Sequence, residues 1–143
     1  MVRQSFLWDP AFGAVVDPGG YPDPEAAARV DRAALPLARA IVQARYPGAT
    51  VEQQDHGNPG FDFLVTQGGL TIRYVELKST TRTSGRFFMS EYQRAFSAHN
   101  HSLYSLLVLA ALDIKKGTSI PHWFDGAVDD HFVLAAIQWR GAL

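Results

Sequence analysis

Gly60-Phe61-Asp62-Phe63-Leu64-Val65-Thr66-Gln67-Gly68-Gly69-Leu70-Thr71-Ile72-Arg73-Tyr74-Val75-Glu76-Leu77-Lys78 decides how this chain folds. Two apolar runs, 61–66 and 71–77, flank Gln67-Gly68-Gly69, a hairpin turn signal. Asp62 stands at the end of the first run and Glu76-Leu77-Lys78 at the end of the second. Strand side chains alternate, so Glu76 and Lys78 share one side while Val75 and Leu77 take the other. Two carboxylates beside an ammonium are the groups a metal-dependent phosphodiesterase needs. The carboxylate oxygens hold a hard cation, which activates water and neutralises phosphate charge. The lysine orients that water or stabilises the developing anion. The same tripeptide also reads as a solvated cross-strand ion pair, and short motifs match by chance. Acids at the ends of two turn-linked strands carry more information than the tripeptide alone.

The chain has 143 residues, enough for one domain with a sizeable core. A hydrophobic fraction of 47% against 19% charged places it among soluble globular proteins. It has no cysteine, which excludes disulfides and thiolate metal sites. No apolar run approaches a membrane span, and no basic segment followed by an apolar one opens the chain. An intracellular, cytoplasmic location with no membrane partner is expected. The net charge of −1 argues against a protein that coats nucleic acid. Its distribution is uneven: residues 73–116 hold seven Lys/Arg against three acids, and the stretches on either side are net acidic. The positive excess surrounds the candidate site, which suits a phosphate-bearing substrate.

Residues 1–23 are rich in Pro, Gly and aromatics without a period, and read as an arm packed on the domain or as a linker. The domain is expected over 24–143. Asp23-Pro24-Glu25 reads as a helix start, with the helix running to about Arg45. Pro36 inside it predicts a kink or a fresh helix start. Ala49–Gln53 reads as a strand, and 79–86 as a hydroxyl-rich basic loop. Phe87–Met89 reads as a short strand. Ser90 as N-cap and Gln93 at the capping-box position open a helix that ends near His99-Asn100. Leu103–Leu112 reads as a buried central strand and Asp113–Gly117 as a turn. His131–Trp139 reads as a last strand or short helix. This order makes an α/β fold with a mixed sheet flanked by helices.

In the loop, Ser79, Thr80, Arg82 and Arg86 are candidate phosphate contacts, with the arginines favoured. The alternative is a solvated loop. Glu91 and Gln93 read first as capping residues, with support of Lys78 or a substrate contact as the functional alternative. His99 and His101 read as helix-end residues, because the zinc pattern is incomplete. His56 reads as a surface loop residue that could approach Asp62. Trp123, Phe124, Phe132 and Trp139 read as core or as an interface.

Val75–Thr81, Gly85, Phe88-Met89-Ser90, Glu91 four residues before Ala95, Tyr104 and Leu107 resemble the NO VEIN carboxy-terminal domain family, which is related to Mrr-type restriction endonucleases. Gly60-Phe61-Asp62 is similar to its Gly-aromatic-Asp element, and 30–34 to its first-helix element. The resemblance spans roughly residues 28–112. It implies a restriction-endonuclease-like core and an Asp…Glu-x-Lys site. Carried over residue by residue, it implies Asp62, Glu76 and the Leu77 carbonyl as ligands of Mg²⁺ or Mn²⁺. Lys78 then positions water, and Asp31 supplies an acid from the first helix, one methylene shorter than the usual Glu. It also implies a DNA restriction or defence setting and an ATPase or helicase partner, though the chain carries no phosphate-binding loop of its own.

The leading expectation is therefore a Mg²⁺-dependent DNA endonuclease, as a homodimer if it cuts both strands. Two rivals stay open on the residues alone: an inactive nuclease-derived module that binds DNA or docks an ATPase, and a protein-interaction domain in which the charged residues form salt bridges.

Overall fold

The computed structural model describes residues 4–8, 24–55, 60–83, 85–132 and 134–135. The segment 56–59 with His56, and 136–143 with Trp139, lie outside the described residues, as do Asp23, Phe12 and the Arg86 side chain.

Five strands form the main sheet: β2 (Thr50–Gln53), β3 (Phe63–Gln67), β4 (Leu70–Ser79), β6 (Tyr104–Asp113) and β7 (Thr118–Asp125), in the order β2-β3-β4-β6-β7. Two helices flank it, α1 (Pro24–Arg45) and α2 (Glu91–His99). The architecture is the expected mixed α/β one. A second, three-stranded sheet pairs β5 (Gly85–Met89) with β1 (Gln4–Trp8), and β1 with β8 (Leu134–Ala135). Part of the amino-terminal arm is thus a strand, and Phe87–Met89 lies outside the main sheet.

The β3–β4 hairpin turns at Gly68 and Gly69, both at positive φ (59° and 78°). Two positive φ values in a two-residue hairpin are what this tight turn requires, and glycine supplies them without strain. β4 and β6 are parallel, with Glu76 opposite Leu106 and Lys78 opposite Val108. Parallel neighbours need a crossover, and the segment with β5 and α2 provides it. β6 is buried along most of its length, as expected for a central strand. β7 is the far edge and carries Pro121, which an edge tolerates because one side of the strand needs no N–H donors.

Helix α1 runs unbroken through Pro36, so no second helix starts there. Pro36 is on the exposed face, where losing an N–H donor costs least. Ala34, Ala38 and Val42, four residues apart, are buried against Val75, Leu77, Leu107 and Leu109 in one core. On the other face of the sheet a second core gathers Met89, Tyr104, Leu106, Val108, Val128 and Phe132. Trp123 packs on the first core and Phe124 on the second, so with Phe132 these aromatics are core. The short strand β8 falls within 131–139, where a last strand or short helix was expected, and a 3-10 turn at Val128–Asp130 precedes it.

Candidate functional site

Gly60-Phe61-Asp62 is held by aromatic packing. The Phe61 ring lies 4.8 Å from Tyr74 and 5.3 Å from Phe96, and Tyr74 meets Phe96 edge-on at 5.2 Å. Gly60 is buried against Phe96, where a Cβ would stand 3.0 Å from the ring, so the position has no room for a side chain without moving it. This clamp and two backbone hydrogen bonds fix Asp62. Its N–H donates to the Val75 carbonyl (2.9 Å), and its carbonyl accepts from Gln54 N–H (2.8 Å). Its Oδ2 accepts from the Leu77 N–H at 2.8 Å. The acid expected to sit near Glu76 is bonded to the residue between Glu76 and Lys78.

Glu76 is 3% exposed, among the few buried charged groups described. Its Oε1 lies 3.4 Å from Lys78 Nζ and accepts from Gln93 Nε2 at 3.1 Å. Burial, and next the negative charge of Asp62, push the Glu76 carboxyl well above its ordinary range, and Lys78 pulls the other way. Burial alone would depress Lys78, but Glu76, Asp31 and Asp62 overcome it and hold the ammonium above its ordinary value. Lys78 therefore keeps its proton at neutral pH.

Asp31, the eighth residue of α1, reaches across to the end of β4. Its Oδ1 accepts from the Ser79 N–H (2.7 Å) and the Ser79 hydroxyl (2.6 Å). Burial raises its carboxyl to about 6, against the opposing pull of Lys78 and of the Ser79 bonds. The shorter Asp is thus within reach of the site.

Asp31, Asp62, Glu76, Leu77, Lys78 and Gln93 all line one pocket of about 360 Å³ that runs from α1 to α2 across β4. The sequence-predicted acids and lysine are brought together. Among the described residues no three His, Cys, Asp or Glu side chains close on a single metal position. His99 and His101 are exposed at the end of α2 and join no such group.

The loop after β4 is tied to β6. Thr80 N–H donates to the Leu109 carbonyl, the Thr80 carbonyl accepts from Leu112 N–H, and the Arg82 carbonyl accepts from Ala111 N–H. Ser79 is spent on Asp31, and the Thr80 hydroxyl accepts from Arg82 N–H. Of the candidate phosphate contacts, Arg82 is exposed to solvent.

Two residues stand beside the site in ways the sequence does not specify. Gln93 is the cap its position predicts: Ser90 Oγ accepts from Gln93 N–H while Gln93 Oε1 accepts from Ser90 N–H. It also touches Glu76, and the spacing of residues 76 and 93 gives no sign of it. Tyr104 opens β6 and reads as apolar strand, yet its buried hydroxyl has no hydrogen-bond partner among the described residues. Burial, then the charges of Glu76 and Asp62, push that hydroxyl well above its ordinary range.

Among the described residues no helix is long and apolar enough to cross a membrane. No curated protein and no solved structure matches the chain with statistical support. Residues 31–120, a span that starts at Asp31 and takes in Asp62, Glu76, Lys78 and Gln93, match the family model described as Protein NO VEIN, C-terminal, and the chain belongs to that family.

Proposed function

We propose that this protein is a Mg²⁺- or Mn²⁺-dependent DNA endonuclease domain with a restriction-endonuclease-like core. The observation that carries the reading is the meeting of Asp62, from the bend before β3, with Glu76 and Lys78 of β4 on the wall of one pocket. Hydrolysis of a phosphodiester needs charge neutralisation more than it needs a base, and this donor set is built for charge.

The residues fit a hard divalent cation: the donors are carboxylate oxygens, there is no thiolate, and the carboxylates share a poorly solvated space. Asp62 and Glu76 would hold it, with the Leu77 carbonyl helping and Asp31 at a greater remove. When bound, the cation polarises the phosphate and lowers the pKa of water. The chain's own part is to hold charge and position. Lys78 retains its proton at Nζ and acts as a hydrogen-bond donor and a positive charge rather than as a base. Asp62, one residue before β3, accepts from the Leu77 N–H and so fixes the bend that carries it against β4. The Gly60-Phe61 clamp stops that bend from relaxing. Arg82 meets the backbone of the nucleic acid from the loop.

Cutting both strands requires two sites, which supports a homodimer, and the family resemblance supports an ATPase or helicase partner in an intracellular restriction or defence setting. A specific observation favours a second reading, a nuclease-derived module that binds DNA or a partner without cutting. Asp31 and Asp62 each spend a carboxylate oxygen on a backbone N–H of β4, a use that needs no metal.

The test is cleavage of labelled DNA with Mg²⁺ or Mn²⁺ by wild type and Lys78→Ala. The nuclease reading expects wild-type cleavage, a loss of roughly 10²–10³-fold or more in the variant, and affinity within a small factor, because the ammonium serves the transition state. Cleavage retained by Lys78→Ala refutes the mechanism. No cleavage by wild type, alone or with its partner, gives the binding module the stronger claim.

A further inference from the structure

We infer that Gln93 is a positioning residue for Glu76, coupling the start of α2 to the site. This rests on the proposed function for its catalytic consequence, but not for the contact itself. The Gln93 amide has two partners of opposite character. Its Oε1 accepts from the Ser90 N–H at 3.1 Å, and its Nε2 donates to Glu76 Oε1 at 3.1 Å. A flipped amide would set donor against donor at Ser90 and acceptor against acceptor at Glu76, so the network admits one orientation.

Glu76 is buried, and a carboxylate in that setting needs its hydrogen bonds. Gln93 and Lys78 both act on Oε1. Two donors on Oε1 restrict the rotation of the carboxylate, and Oε2 makes no hydrogen bond among the described residues. Lys78 hangs on a flexible four-carbon stem and sets charge better than angle. Gln93 is the more rigid partner, because the capping box holds its other end. The device also ties α2 to β4: a shift of the helix start moves the Glu76 carboxylate with it. Outer partners of this kind set the orientation of ligating carboxylates and typically change affinity or rate 10- to 100-fold when removed.

Capping and positioning are separable. Ser90→Ala removes the hydroxyl half of the cap and leaves the Gln93 amide on Glu76. Gln93→Met keeps the side-chain volume and removes the amide. We expect Gln93→Met to lower kcat for Mg²⁺-dependent cleavage about 10- to 100-fold with KM within about twofold, and Ser90→Ala to leave both near wild type at a similar melting temperature. Mn²⁺ affinity by calorimetry should fall in the first variant only. A readout free of any activity is the ¹³C carboxyl resonance of Glu76 in metal-free protein, assigned by its loss in Glu76→Gln. It should shift in Gln93→Met, where the donor to the carboxylate is gone, and stay in place in Ser90→Ala. If wild type neither cuts nor binds Mn²⁺, the proposed function falls and the resonance alone decides this inference. Equal Glu76 resonances in the two variants, or equal kinetics, overturn it.

Discussion

Strand β4 buries two unlike faces. Val75 and Leu77 point toward α1, into a core of Ala34, Ala38, Val42, Leu107 and Leu109 that contains no charge. Tyr74, Glu76 and Lys78 point the other way, toward α2, where a carboxylate and an ammonium are folded away from water beside the aromatics of the second core. The first face returns free energy on folding. The second withholds it, because desolvated charges repay their cost only through good partners. A face that is expensive and still present points to work other than stability. The carboxyls of Glu76 and Asp31 stand above their ordinary range for the same reason.

Buried apolar groups and buried charges should therefore respond to mutation with opposite signs. Leu107, fully buried opposite Leu77, is a clean test of the apolar face. Leu107→Ala should destabilise the fold by about 2–5 kcal/mol in urea unfolding, through lost burial and the cavity left behind. A loss under about 1 kcal/mol would mean that α1 does not seal this core, and the contrast would collapse.

Neutralising Asp31, the half-buried acid that α1 brings to the end of β4, should stabilise the metal-free protein. Asp31→Asn keeps an oxygen for the Ser79 N–H and hydroxyl and removes the charge. The carboxyl rises from 3.8 to about 6 on folding, so the folded state binds this proton more tightly than the unfolded state does. Its contribution is therefore fully present below about pH 4, is lost as pH rises to about 6, and stays lost above. Wild type and Asp31→Asn should match in stability near pH 3.5 and diverge above pH 6, the variant being more stable by up to about 3 kcal/mol, less where solvent at the pocket mouth screens the group. Added Mg²⁺ should narrow the gap by stabilising wild type. A variant less stable than wild type at pH 8 without metal would mean that Asp31 is a structural tie and not a strained acid.

The apolar face was the readable one. Helix α1, the hairpin with its two glycines, the capping box at Ser90 and the central run of β6 each carry a local pattern, and each forms where the pattern places it. Glu76 and Lys78 were readable as well, because strand alternation puts them on one side without any knowledge of what covers it. The bonds that complete the site were not. Asp31 to Ser79 spans 48 positions and Gln93 to Glu76 spans 17, and nothing local encodes such a pairing. Strand β7 carries no legible signal, because an edge strand holding Pro121 beside polar residues has no clean alternation. The pairing of Gln4–Trp8 with Gly85–Met89 joins segments some eighty residues apart, and only the folded chain reveals it. Arg45 is the same kind of case: it stacks on Trp123 at 4.2 Å and pairs with Asp125, although each residue alone reads as surface or core.

The smallest effect sharpens the comparison by setting a buried cation against an exposed one. Lys78 is spent on carboxylates inside the pocket, and its removal is expected to cost rate. Arg82 stands a few residues further on, past the end of β4, with its backbone carbonyl fixed by Ala111 N–H and its side chain in water. A fixed backbone carrying a solvated guanidinium suits a phosphate contact, which releases a counterion and carries no chemistry. Arg82→Ala should lower the slope of log K against log salt for duplex DNA by about 0.9, which amounts to roughly threefold between 50 and 200 mM salt. Cleavage at saturating DNA should be unchanged, the reverse of the pattern expected for Lys78→Ala. An unchanged slope in a protein that still binds DNA would assign Arg82 to solvent and move the phosphate contacts elsewhere on the basic middle of the chain. A fall in saturated cleavage as large as that of Lys78→Ala would erase the distinction between a charge that holds the substrate and a charge that serves the reaction.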